Sequence, residues 1–505
     1  MWSRLRSLPA TERRRRSWLA LLCLVASGFA LAGEPVVRVG LPAAPQSLDP
    51  RFATDAASAR LCRLLFAAPV DFDARFLPVP ALLSWDAISP TRYRFTLQGA
   101  VRFSNGEPVR AADVAATYRA VLNPATASPH RGSLANVEQI EVRDERTLDF
   151  ILQRADPLFP GLLTIGVLPA TVAGKTESPR QPVTSGEFSL AAAPAPKKVQ
   201  LVRRRDGLRV DFEVVEHETT RVLKIARGEL DLLQGNLAPE NVAWLAKRQG
   251  LEVQRTAGTT VSYIGFNLAE GPTADLRVRE ALALALDRET IVQQVFHGEA
   301  HLAASLLTHN HWASAPDVPR WPHDPARARA LLAAAGHGPK QPLRLVFKTS
   351  SDAMRLRLAT IYQAQLAAVG VRLEVQSFDW GTFYADIRRG RFALYGLSWV
   401  GLQLPDIFRY AFHSRSLPPE GANRGRYASP EVDRLLEAAE AVAELDTRAT
   451  HYRALQAELA RDLPMLPLWF EDVVVVSGPR VHGYSTNASG DYDGLARVQF
   501  DSNLP

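Results

Sequence analysis

The stretch YRFTLQGAVRFSNGEPVRAADVAATY (93–118) decides how the chain folds, because three local signals follow one another in it. Tyr93, Phe95 and Leu97 alternate with polar residues, the period of a half-buried strand. Asn105-Gly106 is a strong turn signal, since glycine tolerates the positive φ that such turns need. The run AADVAATYRAVL (111–122) then places Val114, Tyr118 and Val121 on one helical face and stops before Pro124. A strand, a turn and a helix in one short segment point to an α/β or mixed class.

The same alternation extends in both directions. VVRVGL (36–41) reads as a strand, SLDP (47–50) as a turn, and about 55–66 as a helix. IEVRD (140–144) and TLDFIL (147–152) form a hairpin around Asp144-Glu145-Arg146. SLAAAPAPKK (189–198) is a loop or crossing, followed by strands KVQLVRR and RVDFEVV and a helix over 222–228. VSYIGFNL (261–268) is a strand, and DLRVREALALALDRETIVQQVFHG (275–298) reads as one helix ending at Gly298. DPARARALLAAAG (324–336) has Asp at the N-cap, Pro at N1 and Gly past the end. LRLVFKT (343–349), a helix around 353–369, VRLEVQSF (371–378) and FALYGLSWV (392–400) make a β-α-β pattern. Helices opening at Ser429 and Asp446 lead into a strand at 468–478. No short-period repeat is visible, which argues against solenoids and propellers.

At 505 residues the chain is long enough for about three domains. Its net charge of +6 suggests nucleic acid until the charge is located. Residues 1–32 carry six arginines against one glutamate, which leaves +1 for the remainder and removes the electrostatic case for nucleic acid. That segment has the parts of a cleaved export signal: RRRR (13–16), the apolar run 18–32, and Ala30-Leu31-Ala32 as the cleavage site. Arg15-Arg16 also fits a twin-arginine signal. Only Cys23 and Cys62 are present, so cleavage leaves Cys62 alone, without a disulfide or a cysteine-based zinc site. In ARLCRLLF it reads as a buried, inert thiol.

Catalytic signatures are missing. There is no G-x-S-x-G, Walker loop or G-x-G-x-x-G, and no nucleophile, base and orienter assemble. HGEAH (297–301) has its glutamate in the third position and a glycine in the helix a zinc motif needs. His309-Asn310-His311 reads as a solvated loop rather than a chelate, and Glu471-Asp472 as solvated charges at a strand mouth. The expectation is a protein that is not an enzyme and carries no metal or cofactor.

The stretch 93–118 resembles the family 5 extracellular solute-binding proteins, the peptide- and nickel-type receptors of bacterial ABC importers. SLDP (47–50), RFLPVPALLSWD (75–86), RGELDLL (227–233), YIGFNL and DLRVREALALALDRETIV (263–292), DPARARALLAAAG (324–336), FHS with NRGRYASPEVDRLL (412–436) and LPMLPLWF (463–470) fall in the family's order. The resemblance implies a two-lobed periplasmic binding protein of type II-like α/β architecture, with an additional subdomain on the first lobe. Lobe I would be discontinuous, at 34–66, 183–262 and 479–505; the subdomain would be 67–182 and lobe II 263–478. One departure stands out: TSGEFSL (184–190) replaces the family's Gly-Thr-Gly-Pro-Tyr, and the following segment is short, which predicts a trimmed first lobe.

The resemblance also implies a monomeric receptor that holds a peptide-like or other small solute between its lobes and delivers it to the permease subunits of an importer. A nickel-chelate or haem-type receptor of the same family is the alternative, resting on His130, His413, His309 and His311; a secreted hydrolase is a third reading, disfavoured by the missing triad. In peptide receptors of the family a Trp ends a strand and an Asp three residues on pairs with the peptide ammonium. Here SWVGLQLPD (398–406) places Trp399 at the first position and Leu402 at the second, with Gly401 between and Asp406 four residues further on. A buried ammonium without a counter-charge is costly, so the ligand is expected not to depend on a free peptide N-terminus. Thr54, Asp55, Ala56, His130, Tyr263, Asn267 and Trp380 complete the implied substrate-binding set. Each has a structural alternative: Tyr263 and Trp380 as core, Asn267 as a strand-end hydrogen bonder.

Overall fold

A computed structural model describes residues 35–175, 181–502 and 504. The export-signal reading of residues 1–32 lies outside them. An eleven-stranded mixed sheet runs through the protein. At one end lie the parallel strands Arg344–Ser350, Arg372–Phe378 and Leu394–Trp399. At the other, Val36–Leu41 pairs in parallel with Arg209–Val214 and Leu232–Gln234. Two long antiparallel strands, Glu252–Phe266 and Met465–Ser477, join the two ends. Their register slips between Thr256 and Thr260, at the passage from one half to the other.

The apolar cores follow this division. Val37, Leu61, Phe188, Val210, Leu232, Val475 and Leu495 belong to one core. Ile264, Leu282, Phe347, Leu373 and Trp469 belong to a second, adjoined by a third built on Tyr263, Tyr395, Phe408 and Tyr452. We call these the first and second lobes. A four-stranded antiparallel sheet, with Leu83–Ser89, Arg92–Leu97, Thr147–Leu152 and Val137–Val142, packs on the helix Ala111–Leu122 around its own core of Phe95, Tyr118 and Phe150. This small β subdomain touches both lobes. Arg51 of the first lobe donates to the carbonyls of Ala173 and Lys175. On the other side, Phe76 stacks on His311 at 5.4 Å and Leu158 enters the core of Phe408 and Tyr452.

Local readings hold where caps and periodicity agree. The helix read at 111–122 is Ala111–Leu122, and Asp324 caps Pro325–Ala334 by accepting from the Arg327 amide. Two readings need correction. The helix read over 275–298 is two helices, Leu276–Ala285 and Arg288–Gln294. Leu286 is extended, and the Asp287 carboxylate accepts from the Thr290 amide, starting a second helix where periodicity alone continued the first. The loop read at 189–198 is the link of a hairpin, because Phe188–Leu190 pairs antiparallel with Lys198–Arg203. Glu471 is no solvated charge: it accepts from Ser262 Oγ at 2.6 Å and pairs with Arg355 at 3.3 Å.

Candidate ligand-binding site

Alternation along two neighbouring strands builds an aromatic group. Val261 lies opposite Trp399, Ser262 opposite Ser398, and Tyr263 opposite Leu397. Tyr263 and Trp399 are therefore diagonal neighbours on one face, with rings stacked 5.9 Å apart and 16° from parallel. Tyr395, two residues before Leu397, meets Tyr263 edge-on at 5.9 Å. Its ring lies over Gly265, where a Cβ would be 2.2 Å from Tyr395 Cζ. The opposite face is polar: Ser262 and Ser398 share a 2.8 Å hydrogen bond and both accept from Arg355 at 2.9 Å.

A cation sits in the aromatic group. Asn423 straps the loop ahead of the helix Pro430–Ala441 by donating to the carbonyls of His413 and Tyr427 and accepting from the Tyr427 amide. The Leu268 amide donates to the Gly425 carbonyl, fixing the loop to the end of the long strand. Arg424, 7% exposed, is thereby held with Cζ 4.9 Å from the Trp399 ring centroid and 5.5 Å from that of Tyr384. It donates to Tyr263 Oη at 2.9 Å and to Tyr384 Oη at 3.3 Å. Among the described residues no carboxylate forms an ion pair with it. Burial works against its charge, but the surrounding phenols outweigh burial and hold the guanidinium pKa above its ordinary value. Burial pushes the Tyr263 phenol well above the usual range.

The remaining expected residues fall into separate places. Trp380 opens the helix Trp380–Arg388, is 54% exposed and stacks on Tyr384 at 5.4 Å, so it joins the aromatic group through that ring. Gly401, at φ 64°, begins the loop after Trp399; a Cβ there would lie 3.6 Å from the Ser489 carbonyl of the first lobe. Leu402 is half-buried against the second-lobe core. Asn267 is buried; its amide nitrogen donates to the Phe392 carbonyl and its amide oxygen accepts from the Ala269 amide. It ties down the strand end. Asp55 caps the helix Ala56–Leu65 by accepting from the Ser58 amide at 2.9 Å, with Thr54 and Ala56 exposed beside it. His130 donates from Nε2 to the Ala53 carbonyl at 3.1 Å, so it borders the same turn. Burial lowers its pKa.

Asp406 stands at the start of the helix Ile407–Phe412. Its electrostatic neighbours are Asp156 and Glu440, and burial together with those acids pushes its carboxyl up to about 7. Its acidic surroundings make it unlike a carboxylate placed for an ammonium at Trp399. His311 has both ring nitrogens engaged, Nδ1 accepting from the Ala313 amide and Nε2 donating to the Gln403 carbonyl, and burial lowers its pKa to about 4. Among the described residues no group of three or more His, Cys, Asp or Glu is placed to hold a metal ion. Cys62 is buried and burial raises its pKa. Arg424 and Tyr384 were missed in the sequence. Tyr384, four residues after Trp380, was legible as a helical neighbour; nothing in NRGRYASP separates Arg424 from an ordinary solvated arginine.

Two α/β lobes, joined by a pair of long strands and bearing an aromatic, cation-containing group near their junction, define the class of two-lobed binding proteins. The model for bacterial extracellular solute-binding proteins, family 5 middle, matches residues 78–416, and the chain belongs to that family. It is 27% identical over 525 residues to a di/tripeptide-binding protein 2 of Pseudomonas aeruginosa, covering 96% of this chain and 98% of the relative. The fold is similar to NikZ from Campylobacter jejuni in complex with Ni(L-His), with a TM-score of 0.82, 21% identity and coverage of 92% and 100%. It is equally similar to the oligopeptide-binding protein AppA from Bacillus subtilis in complex with a nonapeptide, with a TM-score of 0.82, 20% identity and coverage of 93% and 99%.

Proposed function

We propose that the chain is the substrate-binding component of an ABC importer, which captures a peptide-like or other small solute between its lobes and presents it to membrane permease subunits. Family membership over residues 78–416 is the observation that carries this reading. Binding without chemistry is the reading for the site, since no nucleophile-base pair was found in the sequence and the polar groups around Trp399 are phenols, a guanidinium and serines. Among the described residues, no helix is long and apolar enough to cross a membrane. Export to the periplasm by the N-terminal signal and action as a monomer belong to the same proposal, as do the lobe boundaries at 34–66, 183–262 and 479–505, with the subdomain at 67–182 and lobe II at 263–478.

The proposed ligand wall is Trp399 with Tyr384 and Trp380 on the second lobe, and Thr54, Asp55, Ala56 and His130 of the first lobe and subdomain are its proposed counterparts. Leu402 supplies no charge beside Trp399, and the charge that is there, Arg424, is positive. This supports a ligand whose recognition does not require a free ammonium. Calorimetric titration tests it: N-acetylation of a bound peptide should leave affinity unchanged within a few fold. Strong binding lost on acetylation would refute the reading. The nickel-chelate alternative is separated by equilibrium dialysis with Ni²⁺.

A further inference from the structure

We propose that Arg424 is a receptor for an oxyanion of the ligand, so that the solute held at Trp399 carries a carboxylate, phosphate or similar acidic group. The inference rests on the binding-protein reading above. A guanidinium has five N–H donors, and the phenols of Tyr263, Tyr384 and Tyr395 do not use all of them. Arginine at 7% exposure is ordinarily paired with a carboxylate, because an isolated charge loses its hydration on burial. Other buried arginines here follow the rule or give their donors to several carbonyls. Arg51 is clasped by Asp49, while Arg279 donates to Leu463, Thr273, Ala274 and Asp462. Arg424 has neither kind of partner, only aromatic rings and hydroxyls, two of which belong to the half-buried Trp399 and Tyr384. The half-exposed rings beside it make the ligand the partner we assign to the remaining donors. A planar oxyanion meets a guanidinium through two parallel hydrogen bonds, and the flanking rings suit an apolar body attached to it.

The probes are an N-acetylated casein digest, the same digest methyl-esterified to block its carboxyls, and sodium phosphate against sodium chloride at equal ionic strength. Native mass spectrometry reads peptide retention and thermal unfolding reads the salts, for the wild-type chain, R424Q and R424K. Wild type should retain the acidic digest at least tenfold better than the ester, R424Q should retain both alike, and R424K should fall between. Phosphate should raise the midpoint of wild type above chloride and leave R424Q unmoved. If neither digest is retained but the phosphate effect requires Arg424, the peptide reading fails and the oxyanion site stands. Equal retention of acid and ester by wild type overturns the oxyanion site while the peptide reading stands. Silence in both arms overturns the two together.

Discussion

Arg51 clasps Asp49 within the first-lobe turn, Nη2 lying 2.6 Å from Oδ2 and Nε 3.0 Å from Oδ1. Both side chains are buried, and the third guanidinium nitrogen donates to the carbonyls of Ala173 and Lys175. The pair thus locks SLDP to the subdomain segment that returns to the first lobe. Replacing Arg51 with Leu takes the guanidinium away from a buried carboxylate, which keeps the residue-51 amide, and from two carbonyls. We expect a loss of about 3–5 kcal/mol, seen as a lower urea midpoint. The double variant D49L/R51M, which removes both charges, should recover part of that loss.

Gly186 sits where the chain departs from the family pattern. A Cβ there would lie 2.3 Å from the Leu64 carbonyl and 2.7 Å from the Leu65 carbonyl carbon, and the Gly186 amide donates to the Leu65 carbonyl. Backbone meets backbone, so no side chain can yield. Gly186→Ala should lower thermal stability far more than Ala193→Gly in the neighbouring exposed loop, with proteolysis as an independent readout.

Local chemistry made much of the fold legible. Period-two runs became strands, and Asp324 and Ser429 became caps because their side chains accept from amides at the helix starts. The break at Leu286 was not legible, since LALALDRETI keeps a helical pattern through it. The site divided in the same way. Trp399 stood out as a lone indole at a strand end, whereas Arg424 acquires its meaning from rings contributed by residues 263, 384 and 399, which only tertiary structure brings together.

Acids meet at the contact of subdomain and second lobe. Burial and Glu440 raise the pKa of Asp156, while burial, Asp156 and Glu440 push Asp406 up to about 7. The nearby cations are Arg154 and Arg409, both paired with Glu440, and Arg448, which donates to the Val442 and Ala443 carbonyls. The folded carboxyl of Asp406 holds its proton more tightly than the unfolded one. Its contribution to stability is therefore complete below about pH 4 and is lost as pH rises through about 7. Asp406→Asn removes that titration. Relative to wild type it should gain stability between pH 4 and 8, by roughly 2–4 kcal/mol at the upper end. Urea midpoints across this range check the slope, and an unchanged difference would discard the assignment.

Three indoles should give three different signatures. Trp469 is fully buried in the second-lobe core, so Trp469→Ala should cost about 3–5 kcal/mol of stability. Trp380 is more than half exposed and stacks on Tyr384, so Trp380→Ala should change stability by no more than about 0.5 kcal/mol. If it forms part of the ligand wall, the same substitution should still reduce occupancy by a co-purified solute in native mass spectrometry. Trp399 touches both the Tyr263 ring and the Arg424 guanidinium while packing on the core, so Trp399→Ala should lower stability and occupancy together, the latter at least tenfold. Full occupancy in the Trp399 variant would place the ligand elsewhere.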